Sequence, residues 1–295
     1  MRRLLPVVRT TALEILSEPL SLLVLLAALV LAVLAPAFHY HQFGEATRMA
    51  RDAGFSALFT CGGVIAVFGT IRAIRAEIES GTAEMVLAHS VSRAGFFLAK
   101  ASGAFAAYLV FAAIVFLTAV TIVDGAAIGG AIAAAGGGLA RLYGPRLAAG
   151  VGVIVLPLVL AAALNRFAGC RFVITAFRTA LLLAAASAAV ALWRDAALVL
   201  RMLPVAVLIA LSAAALLSAA AALAVRFRAN VAASATGVVF AVFLPAAGNY
   251  YLADALSGGG AVPWGYVGLA ALAAVPAILL FLLLGICFTG GRGAS

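Results

Sequence analysis

The chain offers few side chains able to do covalent chemistry, and their spacing argues against most of it. Three histidines, three cysteines, ten carboxylates and a single lysine are spread over 295 residues. Cys61, Cys170 and Cys287 lie inside or beside apolar runs with no C-x-x-C or other paired spacing, so they read as small packing residues and not as a metal or redox centre. His39 and His41 have neither the i, i+4 spacing of a helical metal pair nor a zinc signature, and read as interfacial side chains. There is no H-E-x-x-H and no G-x-S-x-G, which leaves a membrane-embedded enzyme weakly supported. Lys100 is the only lysine, and no G-x-x-x-x-G-K-S/T phosphate loop accompanies it, so the chain does not hydrolyse ATP by itself. No catalytic, cofactor-binding or metal-binding residue is expected, and no cofactor.

What remains is one polar stretch, Arg72 to Lys100, in an otherwise greasy chain. It carries Arg72, Arg75, Glu77, Glu79, Glu84, His89, Arg93 and Lys100 between two apolar runs. Such a segment lies in water on one side of a bilayer while its neighbours cross, and is suited to contact with something soluble. Within it, Ala76 to Ala88 reads as a short helix, with Ile78, Met85 and Val86 on one face and acids in the first turn where the dipole favours them. Gly81 weakens the middle of that helix, by about 1 kcal/mol relative to Ala. Ser90 and Ser92 are N-cap candidates for the following helix, and Arg93 and Lys100 are placed to anchor it at lipid headgroups.

The order of residues here resembles the first cytoplasmic loop of type 2 ABC transporter permeases, the membrane-spanning subunits of one class of exporters. Glu77 comes first, then Gly81-Thr82, Met85-Val86-Leu87-Ala88, Val91-Ser92-Arg93 and finally Lys100. Two departures stand out: Ser90 occupies a place where proline is common, and Ala99 precedes the lysine where glycine is common. The resemblance implies a coupling helix seated in a cleft of a separate ATP-binding cassette ATPase subunit, with Glu77, Gly81, Thr82, Leu87 and Arg93 as coupling residues and Lys100 as an interface anchor. It also implies a homo- or heterodimer of permeases in the cytoplasmic (inner) membrane of a bacterium, an interfacial helix at the N-terminus, and no enzymatic activity in this chain.

The elements that would hold such a loop follow from composition. Hydrophobic residues make up 66% of the chain and charged ones 10%, against about 25% charged in soluble domains. Mean hydropathy is +1.23. The expected fold is an all-α polytopic membrane protein, one permease domain over 1-295. A net charge of +9 could suggest nucleic acid, but the arginines are scattered singly between apolar runs, which fits topology and anionic lipid instead. The spacing predicts an interfacial helix over 1-19, with Leu5, Val8, Ala12, Ile15 and Leu16 on one face. About eight spans follow: Leu20–Phe38, Phe55–Ile71, Gly95–Val123, Leu147–Leu164, Phe172–Trp193, Arg201–Val225, Asn230–Leu252 and Trp264–Thr289. Six result if residues 147 to 193 only dip into the membrane. Segment 72-94 is the cytoplasmic coupling loop. Segment 124-146 is Gly- and Ala-rich, too irregular for a span, and extracytoplasmic.

With both termini in the cytoplasm, thirteen of the nineteen basic residues fall inside, which is the sense the positive-inside rule requires. All ten acids fall outside the spans or at their ends, so no carboxylate is available at membrane depth to bind a coupling ion. Any uphill transport must therefore be powered by another polypeptide. Two further readings stand beside the exporter subunit: a non-transporting membrane scaffold or assembly factor using the same loop, and an ion-driven carrier that binds its ion through backbone carbonyls.

Overall fold

The computed structural model describes residues 4–34, 46–80, 92–134, 139–244 and 262–291, and within these the regular structure is helical throughout. In chain order the helices are α1 (Leu5–Ser17), α2 (Pro19–Leu34), α3 (Ala46–Val64), α4 (Thr70–Glu79), α5 (Arg93–Ala134), α6 (Leu139–Ala168), α7 (Phe172–Arg194), α8 (Ala196–Arg226), α9 (Ala229–Leu244) and α10 (Trp264–Gly291).

The breaks between helices have local causes. Glu18 precedes a proline, whose ring disfavours the α conformation in the residue before it. Its backbone is extended (φ −73°, ψ 136°), and α1 and α2 meet at 66°. Ser21 staples the bend, donating its hydroxyl to the Ile15 carbonyl at 2.6 Å. Gly169, at φ 65°, supplies the left-handed residue that turns α6 into α7. Asp195 ends α7 and caps α8 by accepting from the Leu198 N–H at 3.1 Å. Between α3 and α4 the chain does not break: Ile65–Gly69 forms one π-helical turn, and α3, this turn and α4 run on as a single rod.

α5 is the axis of the bundle. Ala107, Tyr108, Phe111, Ile114, Val115 and Val120 are fully buried along it, where it meets α1, α2, α3, α6, α7 and α8. α8 forms a second seam: it packs against α10, α9 and α4, and its Ala219–Ala222 run is buried. Small side chains allow close helix approach, which is what holds helices together where the surroundings are themselves apolar. α10 turns a broad apolar face outward, with Leu272 at 74% and Leu283 at 59% exposure.

Among the described residues, Ala50–Glu79, Arg93–Asp124, Phe172–Arg194, Ala196–Arg226 and Trp264–Thr289 are long and apolar enough to cross a membrane. The bent α1–α2 pair makes a sixth if counted as one span. Each of the eight expected segments is a helix where it is described. Of the other two, α6 is a shorter apolar helix over its described stretch Gly152–Ala168, and α9 is described over 16 residues.

Three expected boundaries are corrected. The second span does not stop at Ile71 but continues to Glu79, so Ala76–Glu79 is its last turn and not the start of a separate short helix. Nor does it begin at Phe55, since the helix is already formed from Ala46. Segment 124-146 is mostly helical, because α5 runs on to Ala134 and α6 begins at Leu139: its alanines favour helix strongly enough to carry the glycines between them.

Candidate functional site

The polar residues of the two long rods meet α1 at one end of the bundle. α4 carries Arg72, Arg75, Glu77 and Glu79 on its last two turns, and α5 carries Lys100 on its second. α1 lies across both. Gly103 makes that possible: a Cβ there would stand 2.7 Å from both the Thr11 Cβ and the Val8 carbonyl oxygen. Thr11, Ile15 and Leu16 are buried beneath α1, while Arg9 faces out.

This crossing brings Glu14 and Glu18 over the cations of the rods. The Lys100 ammonium lies 2.6 Å from Glu77 Oε1 and 3.5 Å from Glu14 Oε2, and its side chain is 2% exposed. Arg72 Nε lies 2.6 Å from Glu18 Oε1. Arg75 donates twice to Glu79 Oε1, through Nε at 3.1 Å and Nη2 at 2.8 Å. Seven charged side chains from α1, α4 and α5 thus form one layer, with the buried ammonium between two helices' carboxylates. Burial pushes the Glu18 carboxyl above the usual carboxylate range; Arg72 pulls it back down, and the neighbouring Glu14 adds to the rise.

α5 starts where the sequence places a cap. The Ser92 hydroxyl accepts from the Gly95 N–H at 3.1 Å, and the Phe96 N–H bonds the Ser92 carbonyl at 2.9 Å. One residue on, Arg93 Nη1 reaches the Thr289 carbonyl oxygen near the end of α10 at 3.4 Å. A turn later Phe97, 2% exposed, sits against Gly285 of α10, whose missing Cβ would fall 2.2 Å from the ring. The start of α5 is therefore joined to α10 as well as to α1 and α4.

Of the coupling residues expected from the sequence, Glu77 and Arg93 fall on this platform, at the two mouths of the segment that joins α4 to α5. Gly81, Thr82 and Leu87 lie in 81–91, outside the described residues, as do Ser90, His39 and His41. Lys100 is buried at the helix crossing, with its side chain 2% exposed. Two carboxylates draw it inward, where pairing offsets the desolvation of a lysine that would otherwise stay in water. Glu14 and Glu18 join the layer without having been singled out in the sequence. The local signal was two carboxylates close before Pro19, where the chain bends.

Other described residues pair at the opposite end. Arg194 Nη1 lies 3.5 Å from Asp124 Oδ2, joining α7 to α5. Near the start of α3, Arg48 and Arg51 flank Asp52 at 3.9 and 3.3 Å. Midway along α5, the Thr121 and Ser187 hydroxyls share a hydrogen bond at 3.0 Å.

Nothing in the layer is arranged for covalent catalysis: its groups are carboxylates, guanidinia and one ammonium paired with one another. It can fix the relative positions of α1, α4 and α5. No family model, no curated protein and no solved structure matches the chain.

Proposed function

We propose that the chain is the membrane-spanning permease subunit of an ATP-binding cassette exporter, its 81–91 segment acting as the coupling element for a separate ATPase. The observation that carries the reading is the ion-paired layer around Lys100. A segment flanked by Glu77 and Arg93 is rooted in α1, α4, α5 and α10 at once. A push on it would be passed to several helices as one displacement, which is what an ATP-driven partner needs. The chain has no phosphate loop of its own, and the described carboxylates sit at the ends of the five candidate spans or outside them, which favours an external power source over an ion gradient.

In this reading Lys100 and its partners lie on the cytoplasmic side with both termini, as the arginine distribution favours. α1 lies in the interface plane, and the unit works as a dimer with two ATP-binding subunits in a bacterial cytoplasmic membrane. Glu77, Gly81, Thr82, Leu87 and Arg93 form the contact; Lys100 holds the contact's base rigid.

The test has two arms. With Cys170 and Cys287 changed to Ser, a Gly81→Cys chain is treated in intact cells with a membrane-impermeant maleimide. Labelling only after permeabilisation supports the reading, and labelling from outside sinks it. The wild-type chain is then purified with the ATP-binding protein that accompanies it. Gly81→Trp should lower nucleotide-dependent ATPase stimulation several-fold while leaving the melting temperature of the chain alone. Partner binding that ignores nucleotide would select the scaffold, and transport that survives ATP depletion would select the ion-driven carrier.

A further inference from the structure

A second group of cations is left without protein anions. The α6–α7 hairpin closes tightly: Asn165 Nδ2 donates to the Cys170 carbonyl at 2.6 Å, and the Gly169 N–H to the Asn165 carbonyl at 3.1 Å. The two helices touch where the Thr179 hydroxyl lies 3.1 Å from the Pro157 carbonyl oxygen, a contact it shares with the Thr175 carbonyl of its own helix at 2.9 Å. Around this turn Arg166, Arg171 and Arg178 are all exposed, and Phe167 beside them is 89% exposed. Among the described residues the ion pairs use Arg48, Arg51, Arg72, Arg75, Arg194 and Lys100, and none of these three.

The position of Arg178 is the telling one. Arg171, Arg178, Leu182, Ala189 and Trp193 recur at helical spacing, fall on one face of α7, and are all exposed. This is an outward face of a candidate span, Phe172–Arg194. Arg178 lies six residues inside that span, about 9 Å below its start at 1.5 Å per residue. A guanidinium on a lipid-facing stripe at that depth must either lean out to the headgroups or meet an anion there. Both demands point the same way. Helical Cα–Cβ bonds tilt toward the helix N-terminus, so Arg178 leans toward Arg171 and the turn, where Arg166 ends α6.

We propose that Arg166, Arg171 and Arg178 hold the phosphate of an anionic glycerophospholipid, with the acyl chains running down the Leu182–Trp193 face of α7. Paired N–H donors of a guanidinium match phosphate oxygens, and the apolar stripe below continues where a lipid tail must go. A free phosphate satisfies the first requirement and not the second. The inference is independent of whether the chain transports anything.

The test uses the purified full-length chain in detergent, with native mass spectrometry and thermal unfolding, on adding phosphatidylglycerol, phosphatidylcholine or inorganic phosphate. Wild type should retain phosphatidylglycerol over phosphatidylcholine. Arg171→Gln/Arg178→Gln should lower that retention about tenfold, the loss expected for a charge-assisted pair. Arg226→Gln/Arg228→Gln removes equal charge at the α8–α9 turn and should change it little; Arg178→Lys should retain part. Equal retention of the two lipids by wild type overturns the proposal, and needs no variant that folds. So does unchanged phosphatidylglycerol retention in the Arg171/Arg178 variant, or inorganic phosphate alone reproducing the thermal shift.

Discussion

Lys100 and Glu77 face each other across the gap between α5 and α4, 2.6 Å apart, with the lysine side chain 2% exposed. A buried cation held by carboxylates from two other helices ties their positions together. Its removal strands those carboxylates in a partly dehydrated layer. Lys100→Met should lower unfolding free energy by about 3 kcal/mol, the low end for breaking a buried pair, since Glu14 and Glu77 can partly rehydrate. Lys100→Met/Glu77→Gln should be less destabilised than the sum of the singles, a coupling that a double-mutant cycle in detergent measures. Simple additivity would mean the pair does not couple the two helices.

At the other end of the bundle the outcome should differ. Arg194 is 54% exposed and lies 3.5 Å from Asp124, itself 14% exposed, so water competes for the guanidinium. Arg194→Gln should cost less than about 1 kcal/mol by the same unfolding measurement.

Gly285 leaves room for Phe97 and nothing more, with a would-be Cβ 2.2 Å from the ring. Gly285→Ala should destabilise by about 1–3 kcal/mol through overpacking. Phe97→Leu in the same chain should recover part of that loss, because the shorter side chain vacates the contact. Loss of stability unaffected by Phe97→Leu would place the strain elsewhere.

Glu18 gives a pH dependence with a definite sign. Burial raises its pKa in the fold, so the folded chain takes up this proton before the unfolded chain does. The resulting stabilisation is present in acid and fades as pH rises through the raised pKa. Melting temperatures of wild type and Glu18→Gln, compared between mildly acidic and neutral pH, should show the acid-side gain in wild type alone. Because Arg72 is 65% exposed, its lost pair should add little to the difference at neutral pH.

Helix positions were legible because long apolar runs bounded by charges have one economical arrangement, and every expected span coincides with a helix where residues are described. The ends were less legible. Arg72, Arg75, Glu77 and Glu79 look like a water-exposed loop by composition, yet they continue the α3–α4 rod, because their i, i+4 pairing supports helix as well as solvation. The inward turn of Lys100 was hidden for a different reason. Its partners come from two other elements, and no local pattern reports that α1 folds back across α5. The bend at Glu18 had a local cue in Pro19; the close crossing at Gly103 had none.

The π turn at Ile65–Gly69 sets the rotational phase of everything after it. Such a turn is equivalent to one extra residue in an α-helix, and one residue corresponds to about 100° of rotation and 1.5 Å of rise. Winding the same residues as ordinary α-helix would swing Glu77 away from Lys100 and bring a different side of α4 toward α5, whereas deleting one residue there would restore ordinary winding and leave Glu77 in place. One loosened coil in the middle of the rod thus decides which side chains its tip presents.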